Sequence, residues 1–300
     1  MNNLVSIVIP NYNRESLIGG TLDSIIGQTY VNWECLIVDD GSTDNSVAVI
    51  HTYLEKDPRF KLFQRPAQYP KGANACRNIG MSKSEGDYII YFDSDDLMTT
   101  DHLEKKLNFV VRADLDYAVF KSKHFGQPSD EDEYIDYSYY QTYEFTADNY
   151  LTNKMRFFTN DLIVKSALAK ESPFYQKYQS DLENVLMTQL VLKSSKNGFC
   201  DEIVTLKRYH PDNITQGLAQ SEKKTLIHVF FFYYNILDYL YQLNASETAK
   251  SFVQDQLIYF YRKINFKLEV PFFDFLFKII RLGSPKNIVA ITNKRLKKLG

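Results

Sequence analysis

Gly86-Asp-Tyr-Ile-Ile-Tyr-Phe-Asp93-Ser-Asp95-Asp96 is an apolar run that ends in three carboxylates. The run has the length and composition of a strand buried on both faces. Like charges gathered at its end repel and cost stability unless something positive sits among them. In an open α/β sheet, ligands bind beyond the carboxyl ends of the strands. Side chains alternate along an extended chain, so Asp93 and Asp95 point to the same side. Two carboxylates on one side suit Mg2+ or Mn2+, which take oxygen ligands. The plainer reading is that Asp93 and Asp96 cap the helix that follows.

The preceding residues set this strand in a repeating pattern. Leu4–Ile9 is apolar throughout and reads as a central strand, ended by Pro10-Asn-Tyr12-Asn13. Leu17, Ile18, Leu22, Ile25 and Ile26 then make one helical face. Glu34–Val38 reads as a second strand closed by Asp39-Asp40-Gly41-Ser42. Ser42 and Asp44 are placed to cap a helix carrying Val47, Ile50, His51 and Leu54. Phe60–Gln64 is a short third strand, and Lys71-Gly72 opens a helix with Cys76, Ile79 and Met81. Strands alternating with helices predict an α/β fold with a doubly wound, mostly parallel sheet.

Past the acidic cluster, Asp101–Arg112 reads as a helix and Leu115–Phe120 as a strand. Gln127–Tyr150 is acidic, tyrosine-rich and without period, and is expected to be a mobile loop or lid. Ser180–Lys193 reads as a helix with Asp181 in its first turn, and helices are expected from Ser221 onward.

On a parallel sheet, the loops after the first two strands share an edge with Asp93. There Tyr12 can stack on a base, and Asp39 or Asp40 can accept from a base or ribose donor. Arg77 can meet phosphate oxygens in a bidentate fork. Taken singly, these are a surface turn, a helix cap and a solvated arginine. Together they describe a nucleotide-diphosphate pocket with a metal.

Composition narrows the partners. The whole 300-residue chain carries a net charge of -2, which predicts no polyanion partner. From Arg262 to the end, however, ten basic residues face only Glu269 and Asp274, a net +8 beside a body of net -10. A basic tail on an acidic body suggests an anionic surface, membrane or nucleic acid. Cys35, Cys76 and Cys200 have no paired spacing and read as reduced cytosolic thiols. The opening residues read as a first strand, with no basic segment or cleavage site of a signal peptide. Leu226–Leu243 holds His228, Asn235, Asp238 and Gln242, too polar for a membrane span, and reads as a buried or surface-docking helix.

Five elements now carry a resemblance: Val5-Ser-Ile-Val-Ile-Pro-Asn-Tyr-Asn13, Gln28-Thr-Tyr-Val-Asn-Trp-Glu34, Ile37-Val-Asp-Asp-Gly-Ser-Thr-Asp44, Gly72-Ala-Asn-Ala-Cys-Arg-Asn-Ile-Gly80, and the Gly86–Asp96 stretch. In order and spacing, residues 4 to 112 resemble the family-2 glycosyltransferases of the GT-A fold. The resemblance implies a Rossmann-like, mostly parallel sheet flanked by helices. It implies a catalytic domain over residues 1–218, with a helical, basic extension over 219–300. Pro10, Tyr12, Asn13, Asp39, Asp40, Gly72, Arg77, Asp93 and Ser94 would line the nucleotide of a nucleotide-sugar. Asp95 would be the main ligand of Mg2+ or Mn2+, with Asp93 nearer the ribose and Arg77 near the diphosphate.

The later segments match less closely. The family places its general base on a later helix, after an acidic residue and before an aromatic one. Here Ser180 and Leu182 flank Asp181 instead. The resemblance makes Asp181 the base, with Glu183 in reserve; the plainer reading of Asp181 is a favourable charge in a helix's first turn. One base and no covalent step imply inversion at the anomeric carbon. Lys207-Arg208-Tyr209-His210 resembles a downstream family element, implying Arg208 at phosphate and His210 at metal or diphosphate.

The implied acceptor is a saccharide or lipid-linked saccharide, with no nucleic-acid partner. The chain would be cytoplasmic, and peripheral on the inner face of the cell membrane if Pro271–Arg281 lies on it as an amphipathic helix. That helix also reads as a core element ahead of a solvated tail. A phosphatase with an Asp-x-Asp nucleophile would place its motif after the first strand, with Thr or Val where this chain has Leu97. A dinucleotide-binding protein would show Gly-x-Gly-x-x-Gly after the first strand. The remaining alternative is a nucleotide-sugar-binding protein of the same fold without catalysis.

Overall fold

The computed structural model describes residues 2–126, 135–176, 183–210 and 221–264. Contacts divide the chain into two units, Met1–Phe145 with Met155–His210, and Thr146–Lys154 with Pro211–Gly300.

In the first unit, β1 (Val5–Asn11), β2 (Trp33–Asp39) and β4 (Tyr88–Tyr91) are buried along their whole lengths. This is why they read as unbroken apolar runs rather than alternating ones. β3 (Phe60–Gln64) is at the sheet edge and more open. These four strands are parallel, with Ile9 opposite Ile37, Leu36 opposite Lys61, and Val8 opposite Tyr91. The crossovers are α1 (Ile18–Ile26), α2 (Ser46–Lys56) and α3 (Ala73–Lys83). Gly86 lets the chain enter β4 against β1: a Cβ there would lie 2.7 Å from the Ser6 backbone nitrogen and 2.8 Å from the Leu4 carbonyl.

Past β4 the sheet becomes mixed. It continues through β5 (Leu97–Met98), β6 (Tyr117–Phe125), β7 (Leu162–Lys165) and β8 (Asn197–Arg208). The eight strands run in the order β3-β2-β1-β4-β7-β6-β8-β5. β7 is antiparallel to both β4 and β6, while β8 is parallel to β6 and antiparallel to β5. Six strands share one direction, so the expected mostly parallel α/β sheet is present. Helix α4 (His102–Arg112) packs beneath β6 and β8.

The lid expected over Gln127–Tyr150 is corrected where the chain is described; residues 127–134 lie outside the described residues. Tyr137 is only 5% exposed. Its hydroxyl donates to Asp161 Oδ2 at 3.0 Å and accepts from the Ser122 backbone N–H at 3.1 Å. On α5 (Tyr139–Thr142), the Tyr140 ring stacks on Phe199 at 3.9 Å between centroids. This segment is held by ring packing, which leaves no amphipathic period to read.

In the second unit, α6 (Ala147–Leu151) accompanies α9 (Glu222–Gln242) and α10 (Glu247–Lys263). The first unit also carries α7 (Ser166–Lys170) and α8 (Asn184–Lys193). The Leu226–Leu243 stretch falls almost wholly in α9. Its Tyr233 ring stacks on Phe260 of α10 at 5.8 Å, and the Tyr233 hydroxyl accepts from Asn153 at 2.6 Å. Among the described residues no helix is long and apolar enough to cross a membrane. The amphipathic stretch Pro271–Arg281 and the rest of the basic tail lie outside the described residues.

Candidate active site

The parallel block brings the ends of β1, β2 and β4 to one edge. Asp39 ends β2 and is turned inward. It accepts from Asn11 Nδ2 at 2.9 Å, from the backbone N–H groups of Gly41 and Ser42 at 3.0 and 2.9 Å, and from Ser42 Oγ at 2.5 Å. Its carboxylate thus builds the turn, which also uses Gly41 at φ 84°, where a side chain is disfavoured. Asp40 joins three segments: it accepts from Arg65 Nε and, at 3.0 Å, from the backbone N–H of Gly72 at the start of α3.

Pro10 is buried opposite Val38. Asn13 ties the two loops together, accepting from the Thr43 N–H at 2.8 Å. Tyr12 is 39% exposed, and the Lys71 ammonium lies 3.9 Å from its ring centroid. Tyr12 with Lys71, and Asp40 with Gly72, are therefore brought together at this edge.

The acidic cluster stands beside them. One carboxylate oxygen from each of Asp93, Asp95 and Asp96 lies within 4.8 Å of the others. Their roles divide by environment. Asp96 is 3% exposed and uses both oxygens internally, accepting from Asn160 Nδ2 at 2.5 Å and from the Arg208 backbone N–H at 2.8 Å. Burial pushes its carboxyl well above the usual range; Lys207 pulls it down, while Asp93 and Asp95 push it further up. Asp93 and Asp95 remain partly exposed. Two accessible carboxylates form a hard oxygen set that fits Mg2+ or Mn2+. Ser94 is buried between them, and its carbonyl accepts from Thr21 Oγ1 at 3.0 Å.

Arg77 sits beneath the cluster at 2% exposure, 2.7 Å from Asp93 Oδ1 and 2.7 Å from Glu183 Oε1. Glu183 is the N-cap of α8, and its second oxygen accepts from Thr159. Arg77 therefore ties the acidic loop to α8. Asp181 lies outside the described residues, as does the expected helix start at Ser180.

The β5–β8 pairing supplies the opposite wall. Leu97 lies opposite Leu206, which carries residues 207–210 across the acidic loop. Arg208 Nε donates to the Asp95 carbonyl at 3.0 Å, and His210 Nε2 lies 2.9 Å from Asp95 Oδ2. Burial opposes the charge on Lys207, but Asp96, Asp93, Asp161 and Glu183 outweigh it and hold its ammonium above the ordinary lysine range.

The structure adds Arg14, Arg65, Lys71, Asn160 and Thr159 to the residues named from sequence. Arg14 Nε lies 3.1 Å from Asp95 Oδ2. Apart from the positions of Arg14 directly after Asn13 and Lys71 directly before Gly72, nothing in the sequence pattern marks these residues.

Comparison with known proteins shows the family and the fold. The sequence model of glycosyl transferase family 2 matches residues 6–170, more than half the chain. The chain belongs to glycosyl transferase family 2. An uncharacterized glycosyltransferase of Haemophilus influenzae is 45% identical to this family-2 chain over 109 residues, 36% of this chain and 43% of that protein. UDP-Glc:alpha-D-GlcNAc-diphosphoundecaprenol beta-1,3-glucosyltransferase WfgD of Escherichia coli is 35% identical over 114 residues, 38% of this chain and 44% of that protein. The matches thus span less than half the length of these curated relatives. S. aureus TarS 1-349 in complex with UDP-GlcNAc shares the fold, with a TM-score of 0.66 and 19% identity over 92% of this chain and 78% of that one.

Proposed function

We propose that this family-2 chain is an inverting, metal-dependent glycosyltransferase that moves a hexosyl or N-acetylhexosaminyl group from a UDP-sugar to an acceptor hydroxyl. The observation that carries this reading is the shared edge where Tyr12 and Asp40 stand beside the accessible carboxylates of Asp93 and Asp95. Tyr12 stacks on the base, and the loop built by Asp39 and Asp40 meets the base and ribose. Asp93 and Asp95 hold Mg2+ or Mn2+, which when bound neutralises the charge that develops on the diphosphate. Arg208 and His210 border the same ligand region. Asp181, or failing it Glu183, takes the acceptor proton as the hydroxyl attacks the anomeric carbon.

UDP is favoured because WfgD, by name, uses UDP-Glc and TarS is seen with UDP-GlcNAc. WfgD also acts on a diphosphoundecaprenol-linked acceptor. A saccharide or lipid-linked acceptor in cell-surface polysaccharide or glycolipid synthesis is therefore the reading we adopt here. The test is to incubate the purified protein with Mn2+ and a panel of nucleotide-sugars. UDP release from one of them is expected. Binding of a UDP-sugar with no release, with or without acceptors, would instead leave a nucleotide-sugar-binding protein.

A lipid-linked acceptor gives the basic tail a use. The catalytic part would lie in residues 1–218, while residues 219–300, net positive from Arg262 onward, would meet the anionic inner face of the cell membrane. Truncation before Pro271 is expected to abolish sedimentation with anionic liposomes. Undiminished sedimentation would rule out this role for the tail.

A further inference from the structure

Around the acidic cluster, most cations are locked in place. Arg77 is buried between two carboxylates. Arg65 is held at Asp40. Arg208 donates to a backbone carbonyl, and its guanidinium lies 4.8 Å from the Phe125 ring centroid.

Arg14 is built differently. Its backbone is fixed at the entry to α1: its N–H donates to Ser46 Oγ at 2.7 Å, and its carbonyl accepts from the N–H groups of Leu17 and Ile18, each at 2.9 Å. Its side chain is 21% exposed. It reaches Asp95 Oδ2, on a side chain 17% exposed, and the carbonyl of its neighbour Asn13 at 3.2 Å. A fixed backbone with a long, partly solvated side chain describes an arginine that can change partner without disturbing the fold.

Asp95 Oδ2 is a contested atom. Arg14 Nε at 3.1 Å and His210 Nε2 at 2.9 Å both approach it. A divalent cation on this carboxylate takes up the same lone pairs and repels the guanidinium. Once released, the guanidinium remains beside Asp95, where, on the donor-site reading above, a diphosphate arrives with the metal.

We propose that Arg14 is a displaceable counter-cation. It neutralises Asp95 in the metal-free protein, and metal binding transfers it to the diphosphate, where its planar fork pairs with phosphate oxygens. The proposal rests on the donor-site reading, and it predicts opposite signs for two affinities. Without Arg14, metal no longer competes with an internal cation and binds more tightly. The diphosphate, in contrast, loses a partner and binds more weakly. A residue that merely supports the site would move both affinities the same way.

The test uses the full chain, with Mn2+ binding followed by the paramagnetic resonance of free Mn2+ and UDP binding by calorimetry at saturating Mn2+. Arg14→Gln is expected to tighten Mn2+ roughly two- to fivefold, the scale of a partly exposed ion pair. It is expected to weaken UDP about tenfold, the scale of one charge-assisted contact. UMP, which lacks the β-phosphate, should lose less than UDP. Arg14→Lys keeps the charge without the fork and should restore most of the competition with Mn2+ while recovering UDP only in part. It also serves as the second variant should Arg14→Gln unfold.

Unchanged affinities, or Mn2+ and UDP weakened alike, would overturn the proposal. A wild-type chain that binds neither Mn2+ nor UDP would overturn the donor-site reading itself, a result independent of any Arg14 variant.

Discussion

Asp95→Ala is expected to lower sugar transfer by roughly 10²–10³-fold, the scale of removing one preorganised electrostatic element from a site. It should also make UDP affinity insensitive to Mn2+. The loss should be confined to function, because among the described residues the Asp95 carboxylate is approached by the partly exposed Arg14 and by His210 at the border of the site, not by a fully buried donor. Removing it also takes a negative charge away from Asp96, whose carboxyl is pushed up first by burial and further by its acidic neighbours. Folded stability in urea should therefore be kept or slightly raised. Asp96→Ala makes the contrast. It strands the Asn160 amide and the Arg208 N–H in a buried setting and deprives Lys207 of a counter-charge, so its cost should appear in the unfolding curve. Metal-dependent UDP affinity that survives Asp95→Ala would show that Asp95 is not the metal ligand.

This division within one tetrapeptide marks how far sequence reading reached. The three carboxylates drew attention because like charges gathered at the end of an apolar strand repel and cost stability unless something positive sits among them. Which of them is turned inward depends on Asn160 and Arg208, distant in sequence and brought in beside β7 and at the end of β8. Much of the parallel block was legible. Phe60–Gln64 has the same bounds in sequence and structure, and β1 and β2 differ by only a residue or two at their ends. These strands are buried on both faces, and burial writes itself as an apolar run.

The mixed half was legible only in part: Leu115–Phe120 anticipated much of β6, while β7 and β8 were missed for equally physical reasons. β7 is four residues long, too short for any period to accumulate. β8 contains the exposed pair Asp201-Glu202 at the point where its register against β6 shifts, and an irregularity there breaks the alternation a strand should show. The cations of the site are the other gap. Arg14, Arg65 and Lys71 reach their partners through long side chains on loops. Loops have no period, so a basic residue there looks the same whether it is solvated or committed to a carboxylate.

Asp181→Asn is expected to lower turnover by roughly 10²–10⁴-fold, the usual contribution of a positioned general base, with UDP affinity unchanged. The geometry of Glu183 explains why Asp181 is preferred over it. Both Glu183 oxygens are already engaged, one 2.7 Å from Arg77 and the other accepting from Thr159. A carboxylate so occupied is badly placed to take a proton from an acceptor hydroxyl. It is well placed to hold α8 against the acidic loop, since Arg77 bridges it to Asp93. Glu183→Gln should therefore act on the donor side: it loosens a buried arginine that also holds Asp93, and UDP affinity should fall along with turnover. Glu183→Gln takes a carboxylate partner from the buried Arg77 guanidinium, so it should also lower the unfolding midpoint. Full transfer activity in Asp181→Asn, together with a Glu183→Gln variant that loses turnover but keeps both UDP affinity and stability, would move the base to Glu183. It would also require the Arg77 pairing to open during each catalytic cycle.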